Sequence, residues 1–358
     1  MGEVLIMRRQ EGDADKALAH YTRSLELAEK LLADFPGTAA SQRDVSVTLQ
    51  KLGDFLATRS QPGDADKALA HYIRSLELAQ KLLAASPDSA QAARDVSVSM
   101  DRLGDFLTRR GQPGDAEAAL KHFTRENELL EKLLTASPDS AQAARDVSVS
   151  MEKLGDLLAQ RGQPGDAEAA LKHYMRSLDM KEKLLAANPG SAQAARDVSV
   201  CLDSLGDFLA KRAHPGDADK ALAHYTRCNE LLEKLLTHNP ASAEARRDVS
   251  VNLNKLGDFL ARRAQPGDAD KALGHYIRSL DMKEKLLADN PGSAEAVRDV
   301  VMSHRSMAIF VAKCGDENAA NRHLHAMLDL LKPCIERGMT FDPPTMQLYE
   351  FLRAEFAK

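Results

Sequence analysis

Six histidines recur at a fixed interval: His20, His71, His122, His173, His224 and His275 follow one another at steps of 51, and His323 follows a shorter step. Imidazole is the commonest metal ligand, so the ladder first raises metal binding. The ligands of one ion must converge within a few ångströms. A residue used once per repeat is instead displaced by a packing layer, about 8–10 Å between helix axes. The ladder therefore reads as packing, with one hydrogen bond for each imidazole beside Tyr21, Tyr72, Phe123, Tyr174, Tyr225 or Tyr276. A second ladder is acidic: Asp54, Asp105, Asp156, Asp207 and Asp258. Acid–base catalysis by paired carboxylates needs one desolvated pocket that drives their pKa values apart, and a carboxylate repeated in every unit provides none. No Cys–His pair, GxSxG, Walker loop, GxGxxG or HExxH spacing is present. The sequence thus points to no catalytic residue, no metal and no cofactor.

Composition excludes further classes. The chain has 358 residues, 44% apolar and 28% charged, enough to bury a core. Lys+Arg is 48 against Asp+Glu 53, a net charge of −5, which disfavours a nucleic-acid binder working through a basic surface. Aromatic residues are 4% and Trp is absent, so stacking platforms for single strands are not expected. No apolar run reaches the 18 or so residues of a membrane span, and the N-terminus does not read as a signal peptide. Cys201, Cys228, Cys314 and Cys334 form no CxxC and read as reduced thiols of a cytoplasmic protein.

The elements that position these ladders follow from the same period. The string RDVSV starts at Arg43, Arg94, Arg145, Arg196 and Arg247, with RDVVM at Arg298, and LGD starts at Leu52, Leu103, Leu154, Leu205 and Leu256. Two proline ladders, from Pro36 and from Pro62, cut each repeat into two segments. In residues 88–110, Val96, Met100, Leu103 and Leu107 step by 4, 3 and 4, the period of a buried helical stripe. Asp88 or Ser89 can cap this helix. In residues 115–135, Ala116, Leu120, Phe123, Leu130 and Leu134 share a face, and Asp115 after Pro113-Gly114 can cap. No segment alternates with period two. The array is expected to be all-α, with helices of about 20 residues.

These motifs resemble the tetratricopeptide repeat, whose 34-residue pattern is W-x2-L-G-x2-Y, then A-x3-F, then P. This chain has Met100-x2-Leu103-Gly104-x2-Leu107, then Ala119-x3-Phe123, then Pro138. Its turn is three residues longer and each helix seven residues longer; seven residues are two turns, so the apolar face keeps its direction. From Met307 to Ala320 the spacing returns to the ordinary 13. The chain resembles a long-helix variety of these repeats, with RD-x-SV and LGD strings, found in bacterial multidomain proteins beside caspase-like proteases or signalling NTPases. The resemblance implies a right-handed superhelical solenoid of tandem helix-turn-helix repeats. Residues 1–332 would form about six repeats, the first partial, and residues 333–358 a capping region with Asp342 as helix cap and Pro343 at the first helical position.

In the resembled family the LGD aspartate faces the concave groove. The groove would then carry Asp101, Asp105, Arg109, Glu152, Asp156, Asp203, Asp207, Lys211, Asn254, Asp258, Arg262 and Arg305. Two readings stand side by side. Asp105–Arg109, Asp207–Lys211 and Asp258–Arg262 are i,i+4 pairs on a solvated face, or the row selects a partner by charge. The resemblance implies a non-catalytic scaffold or adaptor for a protein or peptide partner, and the acidic residues in the middle of the row suit a basic segment of that partner. The alternative is a regulatory or substrate-docking module of a multidomain enzyme. Arg43, Asp44 and their equivalents read as inter-repeat struts. Leu18, Tyr21, Leu25 and Leu32 belong to a helix whose preceding partner, ending over residues 4–12, is mostly missing, so this N-terminal edge is expected to self-associate.

Overall fold

The structure, a computed structural model, describes residues 4, 5, 10 and 12–356. Every regular element among them is an α-helix. The chain divides into two compact units, Met1–Leu184 and Leu185–Lys358. The first unit contains α1 (Asp13–Asp34), α2 (Ala39–Arg59), α3 (Asp64–Ala85), α4 (Ala90–Arg110), α5 (Asp115–Ala136), α6 (Ala141–Arg161) and most of α7 (Asp166–Ala187). The second contains α8 (Ala192–Arg212), α9 (Asp217–His238), α10 (Ala243–Arg263), α11 (Asp268–Asp289), α12 (Ala294–Lys313), α13 (Glu317–Glu336) and α14 (Pro343–Glu355). Within each unit consecutive helices pack against one another, and successive first helices of the hairpins also touch, α2 with α4 and α10 with α12. No helix is long and apolar enough to cross a membrane among the described residues.

From α4 onward each first helix begins as its sequence suggests, whereas α2, with Thr38 at its N-cap, has no side-chain cap bond. The Ser89 hydroxyl accepts from the Ala92 amide at 3.1 Å, and Ser140, Ser191, Ser242 and Ser293 repeat the cap. The second helices begin differently. Gly114, with φ 87°, occupies the N-cap, and Asp115 is the first helical residue. The Asp115 carboxylate, 4% exposed, turns back to accept from the Gln112 amide at 2.9 Å and from Arg110 Nε and Nη2 at 2.8 and 2.6 Å. The expected cap is thus a clamp between the end of one helix and the start of the next. It holds Asp115 well below the usual carboxylate range, chiefly through the hydrogen bond from Arg110.

Two features lock the hairpins. A Cβ on Gly104 of α4 would stand 2.6 Å from Cε1 of Phe123 on α5, so the glycine of LGD is what lets the ring lie against the helix. Arg43 Nε reaches Asp95 in the following hairpin at 2.7 Å; Arg196 reaches Asp248 at 3.1 Å and Arg247 reaches Asp299 at 2.7 Å. These are the expected struts. Under them lies the apolar stripe, with Val45, Val96, Val147, Val198 and Val249 all 0–2% exposed.

The expected end of a helix over residues 4–12 falls largely outside the described residues. Leu18, Tyr21 and Leu32 are partly covered and Leu25 is 8% exposed, because α2 packs on them and Phe55 lies 5.3 Å from the Tyr21 ring. Their expected exposure is corrected accordingly: the large apolar side chains exposed here are Leu27 and Leu31 on α1 and Phe35 just after it. At the other end Gly315 leads into Asp316, which caps α13 through the Ala319 amide at 2.8 Å. α13 runs through Pro333, and α14 packs on it, starting at Pro343 with Asp342 bound to the Thr345 amide at 3.0 Å.

Candidate functional site

The acidic ladder lies on the first helices, and its partners come from the second helix of the same hairpin or from the next hairpin. Tyr72 Oη donates to Asp54 at 2.7 Å, Tyr174 to Asp156 at 2.5 Å, Tyr225 to Asp207 at 2.6 Å and Tyr276 to Asp258 at 2.6 Å. Burial, with the aspartate beside it, raises the phenol pKa at Tyr72, Tyr225 and Tyr276. In the α4–α5 hairpin the ring is Phe123 and has no hydroxyl. Asp105 there accepts from Lys153 Nζ, 48 residues on, at 2.9 Å, and Asp101 accepts from the same ammonium. Lys255 repeats this in the second unit, donating to Asp203 and, at 3.1 Å, to Asp207.

The i,i+4 pairing expected along one helix is replaced by these contacts. Arg109 and Arg262 turn onto main chain, donating to the carbonyls of Asp105 at 3.3 Å and Asp258 at 3.2 Å. Glu152 accepts from Lys181 Nζ at 2.5 Å. Asn254 Nδ2 donates to Ser306 Oγ at 3.2 Å, and Lys211 and Arg305 are exposed. The structure therefore brings Asp101 and Asp105 together in the first unit, Asp203 and Asp207 in the second, and places Asn254, Asp258, Arg262 and Arg305 around one cleft of about 370 Å³.

His71, His122, His173, His224 and His275 are half-buried, and burial lowers their pKa, favouring the neutral ring. Among the described residues no three His, Cys, Asp or Glu side chains are placed to hold one metal ion.

Sequence reasoning missed two sets of residues. The second valine of each RDVSV is exposed: Val47 43%, Val98 47%, Val149 41%, Val200 58% and Val251 45%. Two residues apart on a helix are about 200° apart, so only one of the pair can enter the core, and that rule was available from the string itself. These valines flank clefts between first helices. One, of about 420 Å³, includes Val98 and Val149; another, of about 360 Å³, includes Val200 and Val251. The second set is the buried polar layer beneath them, which contains Glu126, Lys181 and Lys283.

Solved structures with the same arrangement of helices show what the geometry is. BtubC (BKLC) from P. vanneervenii superposes with a TM-score of 0.56 at 16% identity, over 78% of this chain and 94% of that one. The fold is a tetratricopeptide-like array of helical hairpins. A tetratricopeptide repeat protein from Parabacteroides merdae aligns over 98% of both chains at 13% identity, with a TM-score of 0.43. No family model matches the chain. In sequence the chain is similar to Protein NCA1 of Arabidopsis thaliana, 32% identical over 160 residues, 45% of this chain. The match spans 36% of that relative's length.

Proposed function

We propose that the chain is a non-catalytic protein-interaction scaffold that takes an extended partner segment along the faces of its first helices. One observation supports this above the rest: in each unit, clefts between successive first helices combine a half-exposed valine on either side with carboxylates and bases on the wall. Apolar contact points at a regular spacing, rimmed by charge, suit a polypeptide better than a small molecule. Asp101, Asp105, Glu152 and Asp156 on the first unit favour a basic stretch of partner; Arg262, Arg305 and Lys313 near the end of the second favour an acidic one. The free thiols, three buried and Cys314 exposed, support a reducing, cytoplasmic setting. The exposed Leu27, Leu31 and Phe35 support self-association through α1.

The test uses heptapeptides selected by display on the immobilised chain, followed by fluorescence anisotropy at two salt concentrations. Changing Asp105, Asp156 and Asp207 to Asn should weaken basic peptides several-fold and flatten their salt dependence. Unchanged affinity and salt slope in a folded triple variant would show that the aspartates serve only their tyrosine and lysine neighbours.

A further inference from the structure

The α4–α5 hairpin buries a carboxyl group with one oxygen left unsatisfied. Glu126 on α5 is 6% exposed, and its Oε2 is sealed from solvent with no hydrogen-bond partner. It lines the 420 Å³ cleft between α4 and α6, together with Asp101, Leu130, Lys153, Val98 and Val149. Arg94, Arg145 and Lys153 line the same cleft, yet none of them donates to Glu126 Oε2. Lys153 on α6 is already shared by Asp101 and Asp105 on α4. Asp146 on α6 accepts from Gln142 at 2.6 Å and has Arg94 of α4 at 3.8 Å. Burial, reinforced by Asp101, Asp105 and Asp146, pushes the Glu126 carboxyl up to about 9. A buried acid without a partner is costly, and the matching register of other hairpins holds Ser75, Ser177 and Ser279, each 0% exposed, or Cys228.

One hairpin later the chain supplies the missing cation itself. Lys181, 3% exposed, donates to Glu152 at 2.5 Å. Lys181 stands 51 residues after Leu130, in the same register. The α6–α7 hairpin shows how this scaffold holds a buried ammonium; Glu152 stands in the register of Asp101, which Lys153 already serves, so in the α4–α5 hairpin it is Glu126 that keeps a carboxyl oxygen without a base.

We propose that the cleft between α4 and α6 is a subsite for one lysine side chain of the partner polypeptide, its ammonium pairing with Glu126 and its alkyl stem lying against Val98 and Val149. This rests on reading the first-helix face as the interaction surface. Without the lysine, Glu126 holds a proton; an arriving ammonium takes the proton's place, and one proton leaves for solvent. Affinity for lysine then rises with pH until the carboxyl ionises unaided.

The probes are two fluorescent heptapeptide pools, one with lysine and one with norleucine fixed at the centre, with spermidine as the free-amine control. The wild type should prefer the lysine pool at least tenfold at pH 8, and that preference should grow about tenfold per unit between pH 6 and pH 8. Glu126→Ser, which restores the residue of other hairpins, should abolish the preference. Leu130→Lys, which copies Lys181, should abolish it by filling the site from within. A lysine preference that survives Glu126→Ser overturns the subsite and leaves the interaction face standing. Binding of neither pool overturns both. Glu126-dependent binding of spermidine without the lysine pool overturns the assignment to a polypeptide.

Discussion

The joints between helices and the polar layer under the first helices repeat at the same interval and treat that repetition oppositely. At the turns, Arg59–Asp64, Arg110–Asp115, Arg161–Asp166, Arg212–Asp217 and Arg263–Asp268 are copies, each guanidinium donating two bonds of 2.6–2.9 Å. The glycine–ring contact is copied too, from Gly53 on Tyr72 to Gly257 on Tyr276. In the layer, one register holds Ser75, Glu126, Ser177, Cys228 and Ser279, and another holds Ala79, Leu130, Lys181, Leu232 and Lys283. Rigid, identical joints fix where each layer sits. Side chains in the layer can then change chemistry without moving the helices, and recognition can differ from hairpin to hairpin on a constant frame.

The sharpest way to break this comparison is to make the layer uniform. Glu126→Ser should give the largest change, and the change should grow with pH. The folded chain keeps the carboxyl protonated up to about 9, against 4.5 for the free group. The unfolded chain loses that proton first, so the wild type loses stability as pH rises between the two values. Discounted from about 1.4 kcal/mol per unit, the wild type should fall behind Glu126→Ser by about 2–3 kcal/mol between pH 5 and pH 8, measured by urea unfolding. A constant difference would mean that Glu126 finds a counter-ion inside the folded chain.

Next come the joints. Gly104→Ala forces a methyl group against Phe123, where the approach would be 2.6 Å; Gly155→Ala meets Tyr174 at 3.0 Å. Overpacking of this kind costs about 1–3 kcal/mol, offset by up to about 1 kcal/mol of helix propensity. Gly104→Ala should lower the melting temperature clearly and Gly155→Ala less. Equal losses would show that the ring yields equally at both joints. The smallest expected effect is a gain. Ala264 ends α10 at φ 52°, where Gly111 and Gly162 end α4 and α6. Ala264→Gly relieves a left-handed conformation and should stabilise by about 0.5–1 kcal/mol in the same unfolding assay.

Much of the frame was legible before any coordinates. Ser89 and the Pro113-Gly114 turn act where their spacing put them, because caps and tight turns are local. The partners of the candidate residues were not legible in the same way. Asp105 was matched to Arg109 by helical spacing, yet its bond comes from Lys153. Val98 repeats as faithfully as Val96, and only its position on the helix separates an exposed contact point from the core.

The sequence by itself determined the period of 51, the two helices in each repeat, the apolar face of each helix and the turns between them. All of these depend on interactions spanning a few residues or on a periodicity that stacking preserves. Only the tertiary structure decided which charges meet. A partner 48 or 52 residues away is set by how far one hairpin is offset on the next, and a linear pattern carries no measure of that offset. The same stacking buried Glu126 in a position that Ser fills elsewhere. No local rule separates a carboxylate in solvent from one closed in by two neighbouring helices, because the difference lies in the surrounding layer and not in the residue.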